Sequence, residues 1–200
     1  EESGLILPIG EWALQAACER LALWAQQPAL AGLTLAVNVS PRQFHQSGFV
    51  PQVLAALART GAEGRHLKLE MTEGLLLADV EDTIAKMSTL RSYGVGFSLD
   101  DFGTGYSSLA YLKRLPLTQL KIDQSFVRDV LTDPNDAAIA RTVVALANSL
   151  GLGVIAEGVE TEEQRAFLAR NHCHSWQGYL LSKPIPAADF EQLVRDYNQG

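Results

Sequence analysis

Ser98-Leu99-Asp100-Asp101-Phe102-Gly103-Thr104-Gly105-Tyr106-Ser107-Ser108-Leu109 decides the fold. An apolar run beginning at Val95 ends in two adjacent carboxylates, and a loop with glycines and helix-capping serines follows. The pattern is strand, polar βα loop, helix start. Adjacent acids at a strand tip repel by about 4 kcal/mol at ~4 Å and an effective dielectric near ~20. Such a pair needs either full solvation or a positive partner.

The pattern recurs on both sides of this stretch. Leu33–Val37 reads as a strand ending in Asn38-Val39-Ser40-Pro41, and His66–Leu69 as one ending in Glu70-Met71-Thr72-Glu73. Leu120–Asp123, Gly153–Ala156 and His174–Leu180 are three more, with Glu157-Gly158-Val159-Glu160 following the second of them. Between them lie helical stripes. These are Leu14, Ala17, Cys18, Leu21 and Ala25; Phe49 to Leu57, stopped at Gly61; Val80 to Leu90, stopped at Gly94; and Ile139 to Leu150, stopped at Gly151. A short helix from about Ser108 cannot run past Pro116. Thr161 to Gln164 forms a capping box for a helix through Phe167 and Leu168, and Pro186 opens a last helix with Phe190, Leu193, Val194 and Tyr197. Strand and helix alternate throughout, which predicts an α/β parallel sheet of the (β/α) barrel type.

The bulk numbers agree with one globular domain. The chain has 200 residues, 47% hydrophobic and 20% charged. A net charge of −7, from 16 basic and 23 acidic residues, argues against binding duplex nucleic acid, which needs a basic face. Cys18 and Cys173 are too few for a disulfide framework and are expected as thiols, which points to a cytoplasmic setting. No run approaches the ~18 apolar residues of a membrane span, and Glu1-Glu2-Ser3-Gly4 does not read as a signal peptide.

Every strand tip carries a polar residue: Asn38, Glu70, Asp100, Lys121, Glu157 and Gln177. Side chains alternate across a strand, so these six share the inward parity, while Leu35, Val37, Leu67, Leu69, Phe97 and Leu99 face the helices. The C-terminal mouth of a barrel is where such folds keep their chemistry. Glu70, Asp100, Asp101 and Glu157 meet Lys121 as the only evident internal cation. That many ionised acids demand either protons or divalent cations. All-oxygen ligands, with the Asn38 amide, suit Mg²⁺ or Mn²⁺, with Ca²⁺ as an inhibitory competitor. Asp100 is placed to bridge two ions of the kind that clamp a phosphoryl displacement, and Lys121 to orient water or offset phosphate charge. Asp123 shares the Lys121 parity and is read as its partner or as a loop residue. The run His172-Cys173-His174 lacks a further ligand and is expected to be a loop, while Trp12, Trp24 and Trp176 are expected to pack in the core or between helices.

Asn38-Val39-Ser40, Leu69-Glu70-Met71-Thr72-Glu73, Asp100-Asp101-Phe102-Gly103-Thr104-Gly105, Lys121-Ile122-Asp123, Glu157-Gly158-Val159-Glu160 and Gln177-Gly178-Tyr179, in this order, resemble the motif series of EAL-domain cyclic-di-GMP phosphodiesterases. The resemblance implies a TIM-like barrel that hydrolyses cyclic di-GMP to linear pGpG with Mg²⁺ or Mn²⁺. It implies Asn38, Glu70, Asp100, Asp101 and Glu157 as metal ligands, Lys121 as the positioner of the nucleophilic water, and Gln177 as support. It further implies that Glu73 tethers the Phe102–Ser107 loop and that Gln43 touches substrate. Homodimers, attached GGDEF or sensory domains, and a parent held at the inner membrane by such a domain are family expectations. The Glu-Ala-Leu tripeptide that names the family is absent, so residues 1–200 are expected to be a single EAL-like domain truncated at its N-terminus, lacking about two strands and one metal ligand, with weak or no turnover on its own and activity expected of the parent. A catalytically inactive module that binds cyclic di-GMP or a partner domain is the alternative. A barrel performing metal-assisted proton abstraction is a third reading of the same acids and lysine.

Overall fold

The computed structural model describes residues 4–77, 79–103 and 109–197, apart from the side chains of 76 and 77. Its elements are α1 (Ile6–Trp24), β1 (Leu35–Asn38), α2 (Pro41–Phe44), α3 (Phe49–Thr60), β2 (Leu67–Thr72), α4 (Val80–Ser92), β3 (Gly96–Phe102), α5 (Leu109–Leu112), β4 (Gln119–Ile122), α6 (Gln124–Arg128), α7 (Pro134–Ser149), β5 (Gly153–Ala156), α8 (Glu162–Arg170), β6 (Ser175–Trp176) and α9 (Ala187–Tyr197). The order of strands in the sheet is their order in the chain. That is the arrangement successive right-handed βα units produce. The chain divides into two compact units, the first of Glu1–Met71, Asp79–Phe97 and Pro184–Gly200, the second of Thr72–Ala78 and Ser98–Lys183.

In the first unit β1 and β2 pair in parallel, Leu35 with Leu67, Val37 with Leu69 and Asn38 with Glu70. Val37, Leu67 and Leu69 are buried whereas Ala36 and Asn38 are exposed, so the expected parity holds. Helix α1 buries Leu14, Ala17, Cys18, Leu21 and Trp24, and α3 buries Phe49, Val53, Ala56 and Leu57; the two helices pack together. Gly61 ends α3 at φ 75°, a left-handed value that suits a residue without a Cβ. Trp12, expected among packed aromatics, is instead 71% exposed: the buried stripe of α1 runs through Gly10, Leu14 and Ala17, leaving residue 12 on the other side. Helix α9 docks on α1 by the Trp24–Phe190 ring pair, with centroids 5.6 Å apart, and by the Glu191 carboxylate. That carboxylate accepts from Trp24 Nε1 at 2.8 Å and Arg20 Nη1 at 2.9 Å.

In the second unit β3, β4, β5 and β6 pair in parallel in that order. Helix α7, capped by Asp133 with Pro134 in its first turn, lays Ala137, Ala140, Val143, Val144 and Ala147 on β4 and β5. Thr161 and Gln164 form the expected capping box of α8. Two elements are shorter than their patterns suggest. The helix before Pro116 spans only Leu109–Leu112, and its expected start at Ser108 lies outside the described residues. Strand β6 ends at Trp176, because beyond it the chain bonds to the loop after β5: Val159 N–H donates to Gln177 O at 3.0 Å, and Leu180 N–H to Val159 O at 3.0 Å. A Cβ on Gly178 would collide with the Val159 backbone, so this close approach requires glycine.

Candidate active site

Strand β3 is irregular where it matters. Its register against β4 shifts between Leu99 and Phe102, and Asp101 sits at φ 53°. In an even strand neighbouring side chains point to opposite faces; a bulge re-aims one of them. Asp101 therefore joins Asp100, and oxygens of Asp100, Asp101 and Glu157 lie within 4.8 Å of one another. The backbone N–H of Asp101 donates to Asp100 Oδ1 at 3.0 Å.

Lys121 enters from β4 and is 2% exposed. Its Nζ stands 2.6 Å from Glu157 Oε1 and 3.1 Å from Asp100 Oδ1. Gln177, at the end of β6, donates its Nε2 to the same Glu157 oxygen at 2.7 Å. Asp123 caps α6 through the Ser125 N–H at 2.9 Å and also accepts from the Ser125 hydroxyl. It reaches Asp101 rather than serving Lys121 alone: burial first, then repulsion from Asp100 and Asp123, then a side-chain hydrogen bond with Asp123, push the Asp101 carboxyl above its usual range against the pull of Lys121. Glu73 Oε1 accepts the Gly103 N–H at 3.0 Å; Oε2 is buried with no hydrogen-bond partner among the described residues. Residues 104–108 of the loop that Glu73 was expected to tether lie outside the described residues.

The remaining expected residues belong to the first unit. Asn38, the last residue of β1, is the register partner of Glu70, which lies inside β2 rather than at its tip because that strand continues to Thr72. Gln43 is 4% exposed, its carboxamide packed on the backbone at Gly10, beside a groove of about 650 Å³ that Leu7, Glu11, Gln52 and Arg59 also line. His172 and His174 are exposed, and burial pushes the Cys173 thiol up to about 11, so a thiolate ligand is disfavoured there. Among the described residues the acids at 100, 101 and 157 form the one group of three side chains close enough to hold a metal ion, and their oxygen spacing suits a shared hard cation with bonds of ~2.0–2.6 Å.

One supporting residue was missed. The Gln164 carboxamide oxygen accepts the N–H groups of Glu160 at 2.8 Å and Thr161 at 3.0 Å, and its Nε2 donates to Val127 O at 3.3 Å and Arg128 O at 3.2 Å. It thereby ties the loop carrying Glu157 to the helix after Lys121 and Asp123. The capping-box spacing is visible in sequence; the reach to α6 is not.

A family model described as the EAL domain matches residues 1–184. MucR of Pseudomonas aeruginosa, a bifunctional diguanylate cyclase/cyclic di-GMP phosphodiesterase, is 48% identical over 97% of the chain and 28% of its own length. The chain thus spans less than a third of that curated relative. The solved structure of the PaMucR phosphodiesterase in complex with c-di-GMP matches with TM-score 0.91 and 47% identity, over 94% of this chain and 76% of that one. Klebsiella pneumoniae BlrP1, solved with cyclic di-GMP and calcium or manganese, matches with TM-score 0.75 and 32% identity, over 86% of this chain and 44% of that one. With the family model matching residues 1–184, the chain belongs to the EAL domain family, and its βα units are those of a TIM-like (β/α) barrel.

Proposed function

We propose that the chain is the catalytic part of a metal-dependent phosphodiesterase that hydrolyses cyclic di-GMP to linear pGpG. The observation that carries this reading is the buried Lys121 ammonium held between Asp100 and Glu157, with Asp101 alongside. Asp100, Asp101 and Glu157 are the Mg²⁺ or Mn²⁺ ligands that this chain's own geometry supports; Asn38 and Glu70 as ligands, a two-metal site and inhibition by Ca²⁺ rest on the family resemblance. A bound divalent cation supplies charge neutralisation and polarisation of the phosphodiester. Lys121 orients the attacking water and offsets charge on the phosphate. Glu157 accepts the water proton, and Gln177 fixes the carboxylate that does so. Water adds to phosphorus, one P–O3′ bond breaks, and the proton ends on the released 3′-oxygen. Asp123 and Glu73 hold the loops around the site, and Gln43 acts toward substrate only through its packing. The parent protein is a cytoplasmic enzyme, a homodimer with GGDEF or sensory domains attached.

The test is product analysis after incubating the full-length parent protein that carries this chain with cyclic di-GMP and Mg²⁺ or Mn²⁺. Linear pGpG is expected, abolished by chelation and by Asp100→Asn. Tight binding of cyclic di-GMP without breakdown under either metal would overturn the enzymatic reading and leave a regulatory binding module.

A further inference from the structure

We propose that Lys121 is the resident counter-charge of the carboxylate cluster and that it sets the cluster's affinity for divalent cations, keeping it weaker than the three acids alone would give. This rests on the cluster being a cation site, as proposed above. Lys121 Nζ contacts Asp100 and Glu157, which are two of the three members of the ligating group, and the lysine is 2% exposed. Its charge therefore acts in a poorly screened place, where opposite charges attract and like charges repel several-fold more strongly than in water. Asp100, Asp101, Glu157 and the nearby Asp123 crowd acidic groups around this one ammonium.

Two opposed consequences follow from one position. Without a divalent ion, Lys121 makes it tolerable to hold these acids together. With one, the same ammonium stands beside the incoming positive charge and shares its ligands. Removing the lysine's charge should loosen the metal-free cluster and tighten cation binding. A lysine that only oriented water would change turnover and leave cation binding in the absence of substrate untouched.

The experiment is calorimetric titration of the full chain with Mn²⁺, without nucleotide, together with melting temperatures in chelator and in Mn²⁺. Lys121→Met keeps length and flexibility and removes the charge. It is expected to bind Mn²⁺ at least tenfold more tightly than the parent, to melt lower in chelator, and to gain more from Mn²⁺. Lys121→Arg, with charge kept, should bind Mn²⁺ within threefold of the parent. Unchanged or weaker binding in a folded Lys121→Met overturns the proposal. If Lys121→Met does not fold in chelator, folding on addition of Mn²⁺ supports it; failure of both Lys121→Met and Lys121→Gln to fold even with Mn²⁺ overturns it. A parent chain that binds no Mn²⁺ overturns the cation-site reading itself, a result distinct from a parent that binds and variants that do not differ.

Discussion

Glu191 and Asp101 are both part-exposed carboxylates, and their surroundings push them in opposite directions. Around Glu191, in the first unit, donors outnumber acceptors: the Trp24 indole N–H above all, outweighing burial, and then Arg20 and Arg195 hold its carboxyl below the usual range. Around Asp101, in the second unit, burial and then repulsion from Asp100 and Asp123 push it up against the pull of Lys121. The first centre is electrostatically closed and fastens α9 to α1. The second sets Lys121 between Asp100 and Glu157 with Asp101 alongside. A part-buried carboxylate with surplus donors fastens two helices, whereas one crowded by other acids is, on the proposed reading, where a cation would sit.

The largest effect expected from breaking this contrast is on turnover. Glu157→Gln removes the group that faces both Lys121 and Gln177 and should lower cyclic di-GMP hydrolysis by roughly 10²–10³-fold, read by initial rates, with the far-ultraviolet circular dichroism unchanged. Glu191→Ala should leave the rate per folded molecule within about twofold. Next in size, Gln164→Ala orphans the Glu160 and Thr161 N–H groups and removes a donor from the Val127 and Arg128 carbonyls, and should cost about 1–3 kcal/mol in denaturant unfolding.

The Glu191 centre is tested by pH. Its carboxyl lies below the ordinary value in the folded chain, so its stabilisation is full above the unfolded value and is lost as pH falls through the folded one. Glu191→Gln should therefore melt lower than the parent near neutral pH, and the gap should close in acid. The smallest effect has the opposite sign. Asp101 is raised, so its ionised form penalises folding at neutral pH, and the penalty is relieved as pH falls through the raised value toward the ordinary one. Asp101→Asn, whose amide also tolerates φ 53°, should raise the metal-free melting temperature by roughly 1–3 °C near neutrality and by less in acid.

Much of this was legible in sequence because strands have a strict period. The buried side of β1 and β2 and the acids at the strand tips follow from alternation. The meeting of Asp100 with Asp101 does not: alternation would part them, and only the bulge and the left-handed Asp101 bring both to one side. No glycine marks that turn. The early end of β6 depends on Val159, which lies seventeen positions before Trp176 and bonds where a strand partner would. The apolar stripe of α9 was visible, yet Tyr197 on it is 80% exposed, and the helix is held by Phe190 of the stripe together with the polar Glu191. Gln164 shows the same limit, since a local cap can be read from spacing and a contact with a distant helix cannot.

Titration of the full chain with Mn²⁺, in parallel for the parent, Glu157→Gln and Glu191→Gln, tests the contrast most directly. Saturable binding is expected in the parent and in Glu191→Gln, and at least tenfold weaker binding in Glu157→Gln. Equal binding by the parent and Glu157→Gln would contradict the assignment of the acids at 100, 101 and 157 as the cation site.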